Sequence, residues 1–427
     1  FDNQTTSVSF SCPEIEVLQA RVVSATQIIA TITVADDATD EQCSVTVTTG
    51  AEQILCYLDI RGIGDPERVL WAYETDNIIY SSPTIAGGFA YFGGGSYIYC
   101  LNAQTGAEVW KYKTDDTVFS CPAVTEEYVY IGSNDYRVYC LNAQTGSKVW
   151  EFATEGEVSS SPTLYNGRIY IGSCDNKLYC IDAATGAKIW DAATGADVYS
   201  TPAIADGYIY VGSVDYILYC LNAETGDIVW QFATEGDIPP SPALYNGKVY
   251  FGSKDSKFYC VDALTGVKLW DFQTGDIVFD SPAISEKGYV YFGSLDNTIY
   301  CLDAETGAKA WEFVSNGQVQ SSPAITEDYV YIGSSDGNIY CLDAELGTRM
   351  WSYRTGGVVY SSPAVSGGQV YVGSFDKRLY CLKAPDDEDK SWPMFRYNLT
   401  RTGSRAEASK CLAASVLGDS HPDLLSL

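Results

Sequence analysis

Short apolar runs separated by turn residues recur along most of the chain with a period near 40 residues. One copy reads Ser161-Pro162-Thr163-Leu164, Arg168-Ile169-Tyr170-Ile171-Gly172-Ser173, Leu178-Tyr179-Cys180-Ile181-Asp182-Ala183, then Thr185-Gly186 and Trp190. Trp71, Trp110, Trp150, Trp190, Trp230, Trp270, Trp311 and Trp351 follow one another at spacings of 39, 40, 40, 40, 40, 41 and 40 residues. Each copy parses into four strands. The first starts at a Ser-Pro step, where proline is tolerated because it precedes the strand. The third, around Tyr-Cys-Leu, is apolar on both faces, as a strand enclosed by neighbours requires. The fourth alternates, with Trp110, Tyr112 and Thr114 on one side and Lys111 and Lys113 on the other, as suits a half-solvated outer strand. Four short strands per 40 residues predict an all-β fold, an eight-bladed β-propeller, and not a helical solenoid or a string of domains.

The strand count also predicts how the ring closes. The chain enters the repeats with an isolated fourth-type strand, Val69-Leu70-Trp71-Ala72-Tyr73, and leaves after a third-type strand, Arg378 to Lys383. The last blade therefore takes its outer strand from the N-terminal side, which removes the open edges of a linear row.

Three regions follow: 1–62, 66–385 for the propeller, and 386–427 as a C-terminal strap and tail. In the first, alternating segments at about 16–24, 27–35, 43–49 and 54–60 read as strands of a small, partial β-sandwich. Of the 14 cysteines, eight (Cys100, Cys140, Cys180, Cys220, Cys260, Cys301, Cys341, Cys381) hold one position in every repeat and read as buried free thiols. Cys12, Cys43, Cys56 and Cys411 lie outside the propeller. Cys43 and Cys56 are equidistant from Thr49-Gly50, so a hairpin turning there sets them opposite one another as the preferred disulfide, which suits an oxidising compartment. The chain as given begins without a methionine or a leader, and both ends read as trimmed, so an exported protein is expected: extracellular, cell-surface or periplasmic.

Composition narrows the partners. A net charge of −29 repels nucleic acid and anionic membrane, and no apolar run is long enough for a membrane helix. The only histidine is His421 in the tail, which excludes multi-histidine metal sites and Ser-His-Asp chemistry within the repeats.

The segment Asp303-Ala304-Glu305-Thr306-Gly307-Ala308-Lys309-Ala310-Trp311 resembles the tryptophan-docking motif of pyrroloquinoline-quinone-type propellers, the quinoprotein alcohol dehydrogenase-like and BamB-like repeat proteins. It recurs across roughly residues 65–385, with Cys in place of the motif's Ala and with Asn for Asp at Asn102, Asn142 and Asn222. The resemblance implies that the eight Trp dock blades. Trp392-Pro393-Met394-Phe395-Arg396 with Arg401-Thr402-Gly403 is similar to a segment that flanks such propellers. Phe1–Gly50 resembles the later part of an IPT/TIG immunoglobulin-like domain, whose missing first strands leave an edge open to a strand from another chain. In the resembling enzymes, long insertions, an adjacent Cys-Cys pair, a Trp beneath the quinone and calcium ligands build the active site. The repeats here have no Cys-Cys pair and no insertion beyond one residue, and their eight Trp are committed to docking, so no catalytic residue and no cofactor site is assigned.

Two constellations remain. Asp135, Asp175, Asp215, Asp255, Asp296, Asp336 and Asp376 follow Gly-Ser-x in seven blades; they read first as turn-closing residues and second as weak calcium candidates in an acidic funnel. Tyr80, Phe119, Ser159, Tyr199, Pro239, Phe279, Gln320 and Tyr360 head the inner strands and read as a channel plug or, second, a sugar or peptide surface. The expected function is a non-catalytic exported interaction scaffold working through protein partners, with self-assembly at the open N-terminal edge as one route. Quinone- and calcium-dependent oxidoreduction, or glycan and small-ligand binding, are the readings from other classes.

Overall fold

The computed structural model describes residues 68–385 in full, with the backbone of five earlier strands: β1 (Thr6–Phe10), β2 (Ile15–Ser24), β3 (Gln27–Val34), β4 (Gln42–Thr49) and β5 (Glu52–Asp59). The chain divides into two compact units, Phe1–Pro66 and Glu67–Leu427. In the first, β1-β4-β5 form one sheet and β2-β3 another. The expected pairing of Cys43 with Cys56 meets a different register here. The β4–β5 hairpin sets Thr49 opposite Glu52, so it turns at Gly50-Ala51; Cys43 faces Leu58 and Cys56 faces Val45. Placing the turn one residue early made the two cysteines appear opposite, whereas they are diagonal neighbours, about 7–8 Å apart in such a ladder. Their side chains, the immunoglobulin-like resemblance, Cys12, Cys411 and the strap around Trp392 lie outside the described residues.

The second unit contains eight four-stranded antiparallel sheets. Blades 1 to 7 occupy residues 84–113, 123–153, 163–193, 203–233, 243–273, 283–314 and 324–354 in simple meander order. Blade 8 takes three strands from residues 364–383 and its outer strand from β6 (Val69–Glu74), with Cys381 opposite Trp71 and Arg378 opposite Glu74. Inner strands are only two or three residues long and begin just after the proline. Among the described residues no helix is long and apolar enough to cross a membrane.

The core lies between blades rather than within them. Tyr130, Val138 and Cys140 of blade 2 pack against Val158, Ile169, Ile171 and Tyr179 of blade 3. Across the closure, Tyr371, Leu379 and Cys381 of blade 8 pack against Ile85, Phe92, Tyr99 and Leu101 of blade 1. The eight repeat cysteines are free and buried, and burial pushes Cys100, Cys140 and Cys180 thiols up to about 12, far from the thiolate chemistry that reactivity needs.

Every outer strand bulges at the residue before its tryptophan. In blade 2, Cys140 pairs with Trp150 but Leu141 with Lys148, leaving Val149 unpaired and 47% exposed. The bulge brings Lys148 and Glu151 together at 2.8 Å, and Lys188–Asp191, Lys268–Asp271 and Lys309–Glu312 repeat the arrangement. A bulge plus a charged pair is a device that keeps an edge strand from pairing with another chain.

Candidate functional site

Three sets of contacts use up most of the repeated polar residues. The first is the tryptophan dock. Trp71, Trp110, Trp150, Trp190, Trp230, Trp270 and Trp311 each donate the indole N–H to an alanine carbonyl of the next blade, Ala103, Ala143, Ala183, Ala223, Ala263, Ala304 and Ala344 in turn. The glycine of Thr-Gly lies flat on that ring: at Gly186 φ is +73° and a Cβ would sit 2.7 Å from Trp150. Blade 8 has no Thr-Gly, and there Arg68 stacks over Trp351, its guanidinium carbon 4.5 Å from the ring centroid, while its Nη1 donates to the Lys383 carbonyl. The Trp351 indole N–H finds no acceptor.

The second set is a closed belt at the Ser-Pro steps. The backbone N–H of Ser82 donates to Cys121 Sγ, Cys121 to Ser161 Oγ, Ser161 to Thr201, Thr201 to Ser241, Ser241 to Ser281, Ser281 to Ser322, Ser322 to Ser362, and Ser362 back to Ser82 Oγ. One residue upstream, Ser120, Ser160, Ser200, Ser321 and Ser361 accept from the glycine N–H of their own second strand. Blade 6 puts Asp280 in that serine's place. Its Oδ2 accepts from Gly293 N–H at 2.7 Å, its Oδ1 is buried without a partner, and burial raises its carboxyl well above the usual carboxylate range.

The third set is the aspartate turn. Asp135, Asp175, Asp215, Asp255, Asp296, Asp336 and Asp376 each accept at Oδ2 from a tyrosine four residues on, Tyr139, Tyr179, Tyr219, Tyr259, Tyr300, Tyr340 and Tyr380, at 2.5–2.7 Å. The same oxygen accepts a backbone N–H from the loop arriving from the preceding blade (Asp115, Glu155, Gly195, Glu235, Gly275, Asn316 and Gly356) at 2.6–3.1 Å. Each aspartate therefore clamps the incoming loop as well as closing its own turn. Blade 1 lacks the aspartate near Gly95 and inverts the contact: Tyr99 donates to Asp76 of the loop, which Lys111 holds at 3.2 Å. The i, i+4 Asp–Tyr spacing is visible in the sequence and is the signal that would have revealed this clamp.

A calcium ion at Oδ2 would have to displace hydroxyl and amide donors; Oδ1 of Asp215, Asp255, Asp296, Asp336 and Asp376 accepts a backbone N–H of its own turn, while Oδ1 of Asp135 and Asp175 is buried without a partner. The surrounding loop carboxylates are also engaged: Asp115 with Arg137, Glu155 with Lys177, Glu235 with Lys257 and Asp237 with Lys254. Among the described residues no group of three or more His, Cys, Asp or Glu is placed to hold a metal.

Other departures from the repeat lie at the surface. At the axial mouth, Phe119, Tyr80, Phe375 and Tyr360 form a contiguous aromatic arc, with successive ring centroids 4.5, 4.5 and 5.0 Å apart. Across from it Ser159 donates to Asn134, Tyr199 to Asp197, and Lys254 lies 5.9 Å from the Phe279 ring centroid. Tyr199 and Phe279 are each 40% exposed. At the rim between blades 4 and 5 the repeat departs differently. Leu264 (69% exposed), Val267 (60%) and Ile228 (45%) stand where other blades carry residues such as Gln144, Ser147 and Lys148. They share one junction, since the loop holding Leu264 and Val267 packs Gly266 onto Trp230, two residues beyond Ile228. Sequence reading passed over this patch because its members look like ordinary repeat variation until their exposure is known.

No curated protein matches the sequence. Solved structures that share the fold include BamB from Moraxella catarrhalis (17% identity, TM-score 0.64, 74% of this chain and 99% of that one). The computationally designed Ika8 protein (17%, TM-score 0.68, 74% and 99%) and a europium-containing methanol dehydrogenase (13%, TM-score 0.64, 74% and 93%) share it too. BamB and a methanol dehydrogenase are thus equally similar in shape, and at these identities the likeness speaks for the fold alone. A family model described as the β-propeller of the beta-alanine-activating enzyme matches residues 95–282 and 165–394. These overlapping matches run through most of the eight blades, and the chain belongs to that β-propeller family.

Proposed function

We propose that the chain is a non-catalytic interaction scaffold whose partner is a protein. The observation that carries this reading is the apolar rim of blades 4 and 5, where Leu264 and Val267 are exposed at positions that are small or polar elsewhere. Clustered exposed apolar side chains mark association surfaces more often than chance exposure does. The Trp, Ser, Asp and Tyr positions of the repeat, by contrast, are engaged in holding blades together, which leaves no polar cluster organised around a reacting atom among the described residues. The matching family is described by an enzyme's name, but as its propeller; on the present reading this propeller is likewise a recognition module and the chemistry belongs elsewhere.

The test is cross-linking capture from the protein's native source with the whole chain, its L264E/V267E variant, and an E151Q variant on the outer wall of blade 2. Capture of a defined protein by the parent and by E151Q, lost in L264E/V267E, is the expected result. Capture that all three share, or turnover of an alcohol after reconstitution with quinone and calcium, would contradict the proposal.

A further inference from the structure

The face opposite the aspartate turns carries a cleft of about 720 Å³ between blades 1, 2 and 3, walled by Phe89, Tyr91, Tyr128, Tyr130 and Leu164. Its size falls in the range of small-ligand sites. The space has a local cause. Ala86, the last residue of the blade 1 inner strand, and Thr125, just past the end of the blade 2 inner strand, stand where blades 3 and 5 carry Tyr165 and Tyr245.

Two observations say what the cleft would hold. Tyr91, Tyr170, Tyr210, Tyr250, Tyr291 and Tyr371 each donate their hydroxyl to an alanine carbonyl of the next blade. Tyr130, their counterpart in the cleft wall and 3% exposed, makes no such bond across the junction; its hydroxyl contacts Cys140. Its side chain thus lines the cleft without being tied across the blade junction as the other six are. The rim, moreover, is formed by Glu126, Glu127 and Gln144, with no Lys or Arg among the lining residues. Neither glutamate has an ion-pair partner among the described residues, in contrast to Asp115, Glu155, Glu235 and Asp237 of the opposite face.

We propose that this cleft binds a small organic cation, an apolar chain or ring bearing a protonated amine. The apolar body would lie against Phe89, Tyr91 and Leu164. The ammonium would meet the Glu126 and Glu127 carboxylates and the Tyr130 phenol oxygen, with the aromatic faces adding cation–π attraction.

Calorimetry on the whole chain with hexylammonium, hexanol and hexanoate as probes tests this. Hexylammonium should bind with a Kd of about millimolar or tighter, as its handful of heavy atoms allows, and hexanoate should give no saturable heat. E126Q/E127Q should weaken hexylammonium about tenfold or more through loss of the charged partners. A86Y, which copies the blade 3 residue, should abolish binding by filling the space, while both variants keep the parent's melting profile. Equal binding of hexylammonium and hexanoate, binding unchanged in E126Q/E127Q, or no heat with hexylammonium would each overturn the proposal. If A86Y fails to fold, the E126Q/E127Q comparison and the hexanoate control still decide it.

Discussion

Deleting Val69–Glu74 should cost the propeller most of its stability, by more than about 5 kcal/mol, the scale of a domain's whole net stability. β6 is the outer strand of blade 8 and pairs with Arg378–Lys383 along its length. Its removal strips Trp71 from the dock on Gly106 and Ala103, and a tryptophan lost from a packed site alone costs about 3–5 kcal/mol. It also exposes the edge of Arg378–Lys383 and severs the Thr75 contacts to the Lys377 carbonyl. Calorimetric melting should show a lowered and broadened transition, and sedimentation should show association through the new edge. An unchanged melting temperature in a monomeric deletion variant would mean that the ring does not depend on this closure.

Asp280→Ser should stabilise the protein at neutral pH by about 2 kcal/mol, the scale of relieving a buried unsatisfied polar atom. Ser120, Ser160, Ser200, Ser321 and Ser361 show that a hydroxyl satisfies the position. The pH dependence has a definite sign. Asp280's folded carboxyl is held well above its ordinary value by burial. Below about pH 4 both folded and unfolded chains keep the proton, and the residue exerts no pH-dependent penalty. As pH rises from there toward the raised folded value, the unfolded chain releases the proton first, so the native state loses stability progressively. The gain from Asp280→Ser should therefore be smallest near pH 4 and larger at pH 7, measured by urea unfolding at each pH. A gain that is constant with pH, or a loss, would show that the carboxyl is not held neutral.

The architecture was readable because the repeat states it eight times, and each copy carries the same pattern of enclosed and half-exposed strands. Ring closure was readable from one strand too many at the start and one too few at the end. The Cys43–Cys56 register was not, because Thr49-Gly50 and Gly50-Ala51 are both acceptable turns by composition and differ by two rungs in what they pair. The aspartates were read as turn residues, which they are, but their hold on the preceding blade's loop depends on a residue some 20 positions upstream that local sequence does not connect. Arg68 on Trp351 and the open Tyr130 cleft were illegible for a further reason: each arises where a repeat contact is missing, and only packing shows what fills the gap or leaves it.

The central claim is that the repeated carboxylates are structural and bind no cofactor. Calorimetric titration of the whole chain with calcium, alone and with pyrroloquinoline quinone, tests it most directly. No saturable heat and no retained quinone absorbance are expected, because each aspartate Oδ2 already accepts a tyrosine hydroxyl and a backbone amide. Saturable calcium binding that is lost in D215N or D255N, or quinone retained after gel filtration, would contradict it.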